Sequence, residues 1–153
     1  MALASPFMTN LDERVDLLRH AWLFSECTED ELSRIAGLAS AQDAAAGDEL
    51  CVEGQPGDDF FVVVDGTAEA TVGGDPLGEL GPGSFFGEMA LIDGGDRSAT
   101  VRAKTPMSLL VLGRHDFNEM LSNAMPHIAP KLMQCMGQRI RELSVRAGDP
   151  LPF

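Results

Sequence analysis

A carboxylate and a guanidinium nine residues apart, in Phe86-Gly87-Glu88 and Arg97-Ser98-Ala99-Thr100, are the side chains of this sequence best placed to do chemistry. The run Glu88-Met89-Ala90-Leu91-Ile92 is too non-alternating for a half-buried strand and too short for an ordinary helix. A single helical turn there, between two strands, aims the free amides of its first turn at a common point. Partial positive charge and unpaired donors make such an N-terminus an anion site. The turn Asp93-Gly94-Gly95-Asp96 then folds Arg97 back over those amides, and a guanidinium fork with hydroxyls and backbone N–H groups suits a phosphate. Glu88 cannot favour that phosphate. An ionised carboxylate only accepts, so it needs a neutral donor, and a sugar hydroxyl meets the requirement. Phosphate beside ribose, with one Arg and one Glu, describes a small nucleotide carrying one negative charge. A triphosphate would call for a glycine loop followed by Lys and Ser or Thr, and no GxxxxGK[ST] is present. The plain alternative is a surface ion pair between Glu88 and Arg97, worth about 0–1 kcal/mol. Such a pair needs neither Gly87 nor Ser98-Ala99-Thr100.

The charge distribution frames that pair. The chain has 153 residues and a formal net charge of −13. Residues 1–96 hold 3 bases and 20 acids, and residues 97–153 hold 8 bases and 4 acids. No Lys or Arg lies between Arg34 and Arg97, where 13 carboxylates accumulate. The bland meaning of such a bias is a solvated acidic face. It argues against nucleic acid as a partner, because affinity for a phosphate backbone comes largely from Lys and Arg. It leaves room for a singly charged ligand held by Arg97, and should repel ligands with more charge.

With 44% hydrophobic and 23% charged residues, the chain is too apolar for disorder. A chain of this length forms one domain, 1–153, and buries roughly 68–70% of its unfolded surface. Cys27, Cys51 and Cys135 are far apart, in no metal spacing, and read as small apolar residues in a reducing compartment. No 18-residue apolar stretch exists, and MALASPFM lacks a basic n-region and a long apolar run. A cytoplasmic location without a membrane partner is expected.

Three blocks must position the chemistry. Residues 10–39 read as a helical lead-in: Leu11, Val15, Leu18 and Trp22 share one face, with Asn10 as cap and Glu13 reaching back to it. Trp22 is expected in the core. Thr28 and Glu31 form a capping box before Leu32, Ile35 and Leu38. Residues 40–112 carry short apolar runs, FFVVV at 60–64, an alternating 68–72 and SLLVL at 108–112. Gly- and Asp-rich turns recur every 7 to 11 residues between them. That texture predicts a mainly β fold, a jelly-roll-like β-roll with flanking N- and C-terminal α-helices. Residues 113–146 return to helix: a short one around Phe117, Met120 and Leu121, a break at Pro126 and Pro130, then a longer helix from about Lys131 to Val145. Leu132, Met136, Ile140 and Leu143 form its stripe, and Gly148-Asp149-Pro150 ends it.

The segment 86–103 resembles the phosphate-binding cassette of the cyclic nucleotide-binding domain family, which includes the bacterial catabolite activator protein and the regulatory subunits of cyclic-AMP-dependent protein kinase. The family pattern of Phe-Gly-Glu, a few apolar residues, a turn and Arg-(Ala/Ser/Thr)-Ala-Thr is met by Phe86-Gly87-Glu88 and Arg97-Ser98-Ala99-Thr100. The resemblance extends over most of the chain, through EGQPGDDFFVVVDGTAEA and the closing helices. It implies that Glu88 accepts from the ribose 2′-hydroxyl and that Arg97 pairs with the exocyclic phosphate oxygens. Amides near Ala90 and Ala99 support the phosphate, Gly87 opens the turn, and Ser98 reaches the phosphate or the base. In the family, Thr at the position of Ser98 tends to accompany cyclic GMP preference and Ser is common in cyclic AMP binders, so the resemblance implies cyclic AMP more than cyclic GMP. Leu132 and Met136 are candidates to cover the base, although core packing explains their spacing equally. Asp96 departs from the family, where a Pro often precedes the Arg, and this implies a looser turn.

The expected function is a cyclic-nucleotide sensing module that repositions its C-terminal helices on binding, with no catalysis, no cofactor and no metal. Its partners would be the nucleotide and a protein effector, with residues 131–146 offering a homodimer face. The alternatives are a β-roll scaffold that has lost the ligand, or the regulatory fragment of a larger effector. A cupin-like metalloenzyme would need clustered His, whereas His20, His115 and His127 are isolated in sequence. A transcription factor would need a helix-turn-helix after the long helix, and the chain stops at Phe153.

Overall fold

The computed structural model describes residues 11–147. Its two antiparallel sheets follow from two strands that are apolar on both faces. β3 (Asp59–Asp65) and β8 (Met107–Gly113) pair through Phe61 and Val111, and both are buried nearly end to end. Phe60, Val62, Val64, Leu110 and Leu112 point towards the helices, while Phe61, Val63, Leu109 and Val111 point into the roll. A strand sandwiched between two apolar layers loses its alternation. This explains why FFVVV and SLLVL read as continuous runs.

β1 (Ser40–Ala44), β8, β3 and β6 (Phe85–Phe86) make one sheet in that order. The other has the order β2 (Glu49–Cys51), β7 (Thr100–Ala103), β4 (Ala68–Val72) and β5 (Asp75–Leu80). The expected β-roll is thus present, its strands lying between Ser40 and Gly113. The cassette helix α3 (Glu88–Asp93) lies between β6 of one sheet and β7 of the other.

Helices cover the first sheet. α1 (Leu11–Arg19) buries Val15 and Leu18, and α2 (Glu29–Leu38) buries Leu32, Ile35 and Ala36. The capping box is formed as expected: the Glu31 amide donates to Thr28 Oγ1 at 3.2 Å and the Thr28 amide donates to Glu31 Oε1 at 2.9 Å. Asn10, the proposed cap of α1, lies outside the described residues, as does Gly148-Asp149-Pro150.

Two expectations fail. Trp22 is not core: it sits in a 3₁₀ turn, Trp22–Phe24, and is 48% exposed, while its neighbours Leu23 and Phe24 take the buried positions. α1 ends at Arg19, so the helical spacing that would have turned Trp22 inward no longer applies. Leu11 and Leu38 are exposed at helix ends for the same reason of position. Pro130 does not break the last helix. α4 (Arg114–Glu119) runs into a π-turn, Met120–Ala124, and α5 (Ile128–Ala147) then starts before Pro130. Pro130 falls in the first turn, where a backbone N–H has no helical acceptor to lose.

Candidate functional site

The amides at the start of α3 have no acceptor within the helix, and the fold sets them beside Arg97. Gly87 caps α3 with φ +94°, a left-handed conformation. A Cβ there would also lie 2.6 Å from the Asp59 carbonyl oxygen and 2.9 Å from Arg97 Nη1. Glycine is therefore required twice, by conformation and by space. Arg97 is only 7% exposed. Its Nη1 donates to the Gly87 carbonyl and its Nη2 to the Asp59 carbonyl, each at 2.9 Å. Its backbone locks to the preceding turn, Arg97 N–H to Gln55 O at 2.8 Å and Gly54 N–H to Arg97 O at 2.9 Å. Gly57 completes the slot: a Cβ on it would lie 1.9 Å from Arg97 Nε.

Arg114 fastens the surroundings. It donates to the Gly57 carbonyl at 2.9 Å, to the Leu91 carbonyl at 3.2 Å and to Asp58 Oδ1 at 3.1 and 3.0 Å. One side chain on α4 thereby ties the Gly57 turn to α3, the two elements flanking Arg97. Phe61 and Phe86 stack at 4.7 Å beneath, with the Arg97 guanidinium 5.9 Å from the Phe61 ring centre.

Glu88 is 1% exposed, and a bare buried carboxylate is costly. Its Oε1 accepts from Arg139 Nη1 on α5, a contact unforeseen from the sequence. Arg139 also donates to the Phe85 carbonyl at 2.7 Å and lies 4.9 Å from the Phe85 ring centre. Glu88 Oε2 is the one buried side-chain polar atom among the described residues without a hydrogen-bond partner. The alternative in which Glu88 and Arg97 simply pair with each other is not what the structure shows: each has separate partners.

A cavity of about 300 Å³ opens here, lined by all six predicted residues, Gly87, Glu88, Ala90, Arg97, Ser98 and Ala99. β5 supplies the opposite wall with Leu77, Gly78, Glu79 and Leu80, and Arg139 lies at the α5 side. The Ser98 hydroxyl donates weakly to Met89 Sδ at 3.5 Å. Cys51 borders the cavity, and burial pushes its thiol up to about 11; Arg97 opposes that rise, while Glu88 and Asp59 add to it. The volume falls at the lower end of small-molecule sites.

Leu132 and Met136, the candidates to cover a base, do not line this cavity. Leu132 is buried in the core between helices and sheet, and Met136 packs against that core. Arg139 reaches the cavity instead, seven residues beyond Leu132 and so on the same helical face. Its place on that stripe was the available signal, hidden because a basic residue breaks an apolar pattern.

A sequence profile described as the cyclic nucleotide-binding domain matches residues 41–124. A cyclic nucleotide-gated potassium channel of Mesorhizobium japonicum is 46% identical over 107 residues, covering 70% of this chain and 29% of that one. Among solved structures, the cAMP-bound PfPKA-R superposes with a TM-score of 0.81 at 22% identity, covering 94% of this chain and 49% of that one. The Thermus thermophilus catabolite activator protein superposes at 0.71 with 28% identity, covering 82% and 61%. The chain spans less than a third of the channel's length.

Proposed function

Because this chain belongs to the cyclic nucleotide-binding domain family, we propose that it senses a cyclic nucleotide, with cyclic AMP preferred over cyclic GMP, and relays occupancy through α5. The unpartnered Glu88 Oε2, buried in a cavity shared with Arg97, carries this reading. A buried acceptor without a donor costs about 1–3 kcal/mol, more when charged. A ribose 2′-hydroxyl in the cavity supplies the donor. Arg97 uses one Nη1 and one Nη2 bond to hold its place, and its remaining guanidinium hydrogens, with the amides of α3 and Ala99, receive the cyclic phosphate. Ser98, free to leave its weak sulfur contact, contributes a hydroxyl to the ligand.

The relay follows from Glu88 having two oxygens. Oε1 holds α5 through Arg139 and Oε2 meets the ligand, so occupancy alters the contact that docks α5. A ligand shifts such an equilibrium only by its differential affinity for the two placements. A protein effector would read the placement of α5. The chemistry is recognition without bond breaking, so the domain acts as a regulator and not as an enzyme. Among the described residues no helix is long and apolar enough to cross a membrane. The channel relative nonetheless allows the effector to be a membrane protein.

Titration calorimetry with cyclic AMP and cyclic GMP on the wild type and Arg97→Ala tests this reading. Losing one partner of a buried charge pair costs about 3–5 kcal/mol, or roughly two to three and a half decades in Kd. No heat from either nucleotide sinks the sensor and leaves the scaffold reading. Unchanged affinity in Arg97→Ala sinks the site assignment.

A further inference from the structure

We propose that Cys27, Glu31 and His127 form a binding site for a thiophilic divalent cation of the zinc type, remote in sequence and separate in lining from the nucleotide cavity. The three ligand atoms, a sulfur, a carboxylate oxygen and a ring nitrogen, lie within 4.8 Å of one another. Cys27 precedes the Thr28 cap of α2, Glu31 lies in the first turn of that helix and His127 directly precedes α5, so the fold joins Glu31 and His127 across 96 positions. None of the three borders the cavity around Glu88.

Their chemistry is that of a three-ligand site. Thiolate, imidazole and carboxylate together suit Zn²⁺, with a fourth position left to water. Glu31 divides its work: Oε1 accepts the Thr28 amide of the capping box, and Oε2 meets His127 Nε2 at 2.8 Å. A cation would replace the hydrogen between Oε2 and Nε2 and leave the cap intact. Cys27 is half-buried, Glu31 is half-buried, and the His127 side chain is 41% exposed, which leaves an entry path.

A bound dication would deprotonate the coordinating Cys27 thiol and release its proton to solvent. Lys131 does not occupy the place of the metal. Its Nζ donates to Ser25 Oγ at 2.7 Å and to the Trp22 carbonyl at 3.1 Å. Metal binding would tie the α2 N-terminus to the segment leading into α5.

Titration of the reduced 153-residue protein with Co²⁺, followed by Zn²⁺ displacement, tests the assignment. The expected result is one equivalent of Co²⁺ with a thiolate charge-transfer band in the near ultraviolet, bleached by Zn²⁺. Cys27→Ser should abolish the band. His127→Gln, a change at an exposed side chain, should weaken Co²⁺ binding at least about tenfold, since even residues that only orient metal ligands contribute 10–100-fold. A wild type without the band overturns the proposal, as does a band that survives in Cys27→Ser at wild-type strength.

Discussion

Replacing Arg139 by Met removes the one ion-pair partner that a 1% exposed carboxylate has among the described residues. The methionine keeps an unbranched side chain against Phe85 but cannot donate to Glu88 Oε1 or to the Phe85 carbonyl. Both Glu88 oxygens would then lack partners, since Oε2 has none already. Breaking a buried pair costs about 3–5 kcal/mol. The lower end applies, because the Arg139 side chain keeps a quarter of its surface in water. The expected loss is therefore about 3 kcal/mol, or roughly 6–12 °C in Tm for a chain of this size. Thermal and urea unfolding of the wild type, Arg139→Met, Glu88→Gln and the double variant would measure the loss and the coupling. Glu88→Gln should rescue much of the Arg139→Met deficit, because a neutral amide is less costly to strand. A deficit below about 1 kcal/mol, or simple additivity of the two changes, would refute the claim that Arg139 holds a buried charge.

Three further outcomes follow from the same geometry. Gly57→Ala puts a Cβ where Arg97 Nε now lies, 1.9 Å away; cyclic AMP affinity by calorimetry should fall at least tenfold while stability drops by only about 1–3 kcal/mol, the usual cost of overpacking. Cys51 stays a thiol in the folded state up to about pH 11 but ionises near 9 when unfolded, so its contribution is lost as pH rises across that window, by up to about 1.4 kcal/mol per unit; denaturation curves of Cys51→Ala should lack that part of the alkaline slope. Trp22, the sole tryptophan, lies 5.2 Å from Lys131 Nζ on α5, so cyclic AMP should shift its fluorescence if α5 moves, and Lys131→Met should blunt the change.

The parts of this fold that sequence reasoning reached are those set by local chemistry. Thr28 and Glu31 cap α2 because a three-residue spacing suffices, whatever else the chain does. The single helical turn at Glu88–Asp93 was legible because EMALI fits no strand, and Gly87 marked its start. What escaped were contacts made by chain return. Arg139 meets Glu88 from 51 residues away, and no periodicity specifies which basic residue of a helix turns inward. Arg114 was invisible for the same reason, since three of its four bonds go to the turn at Gly57-Asp58. Trp22 misled because helical spacing was extended past the end of α1, and Pro130 because a proline in a first turn looks identical in sequence to one that breaks a helix. Cys27 and His127 look isolated along the chain and become neighbours only when α2 and α5 pack.

The central claim is that Glu88 Oε2 waits for a ribose hydroxyl, and replacing that hydroxyl by hydrogen tests it without altering the protein. Calorimetric titration with cyclic AMP and with 2′-deoxy cyclic AMP, side by side, should show the deoxy ligand weaker by about 1.5–3 kcal/mol, the worth of a hydrogen bond to a charged group. That corresponds to roughly 10- to 150-fold in Kd. Equal affinities for the two ligands would contradict the account.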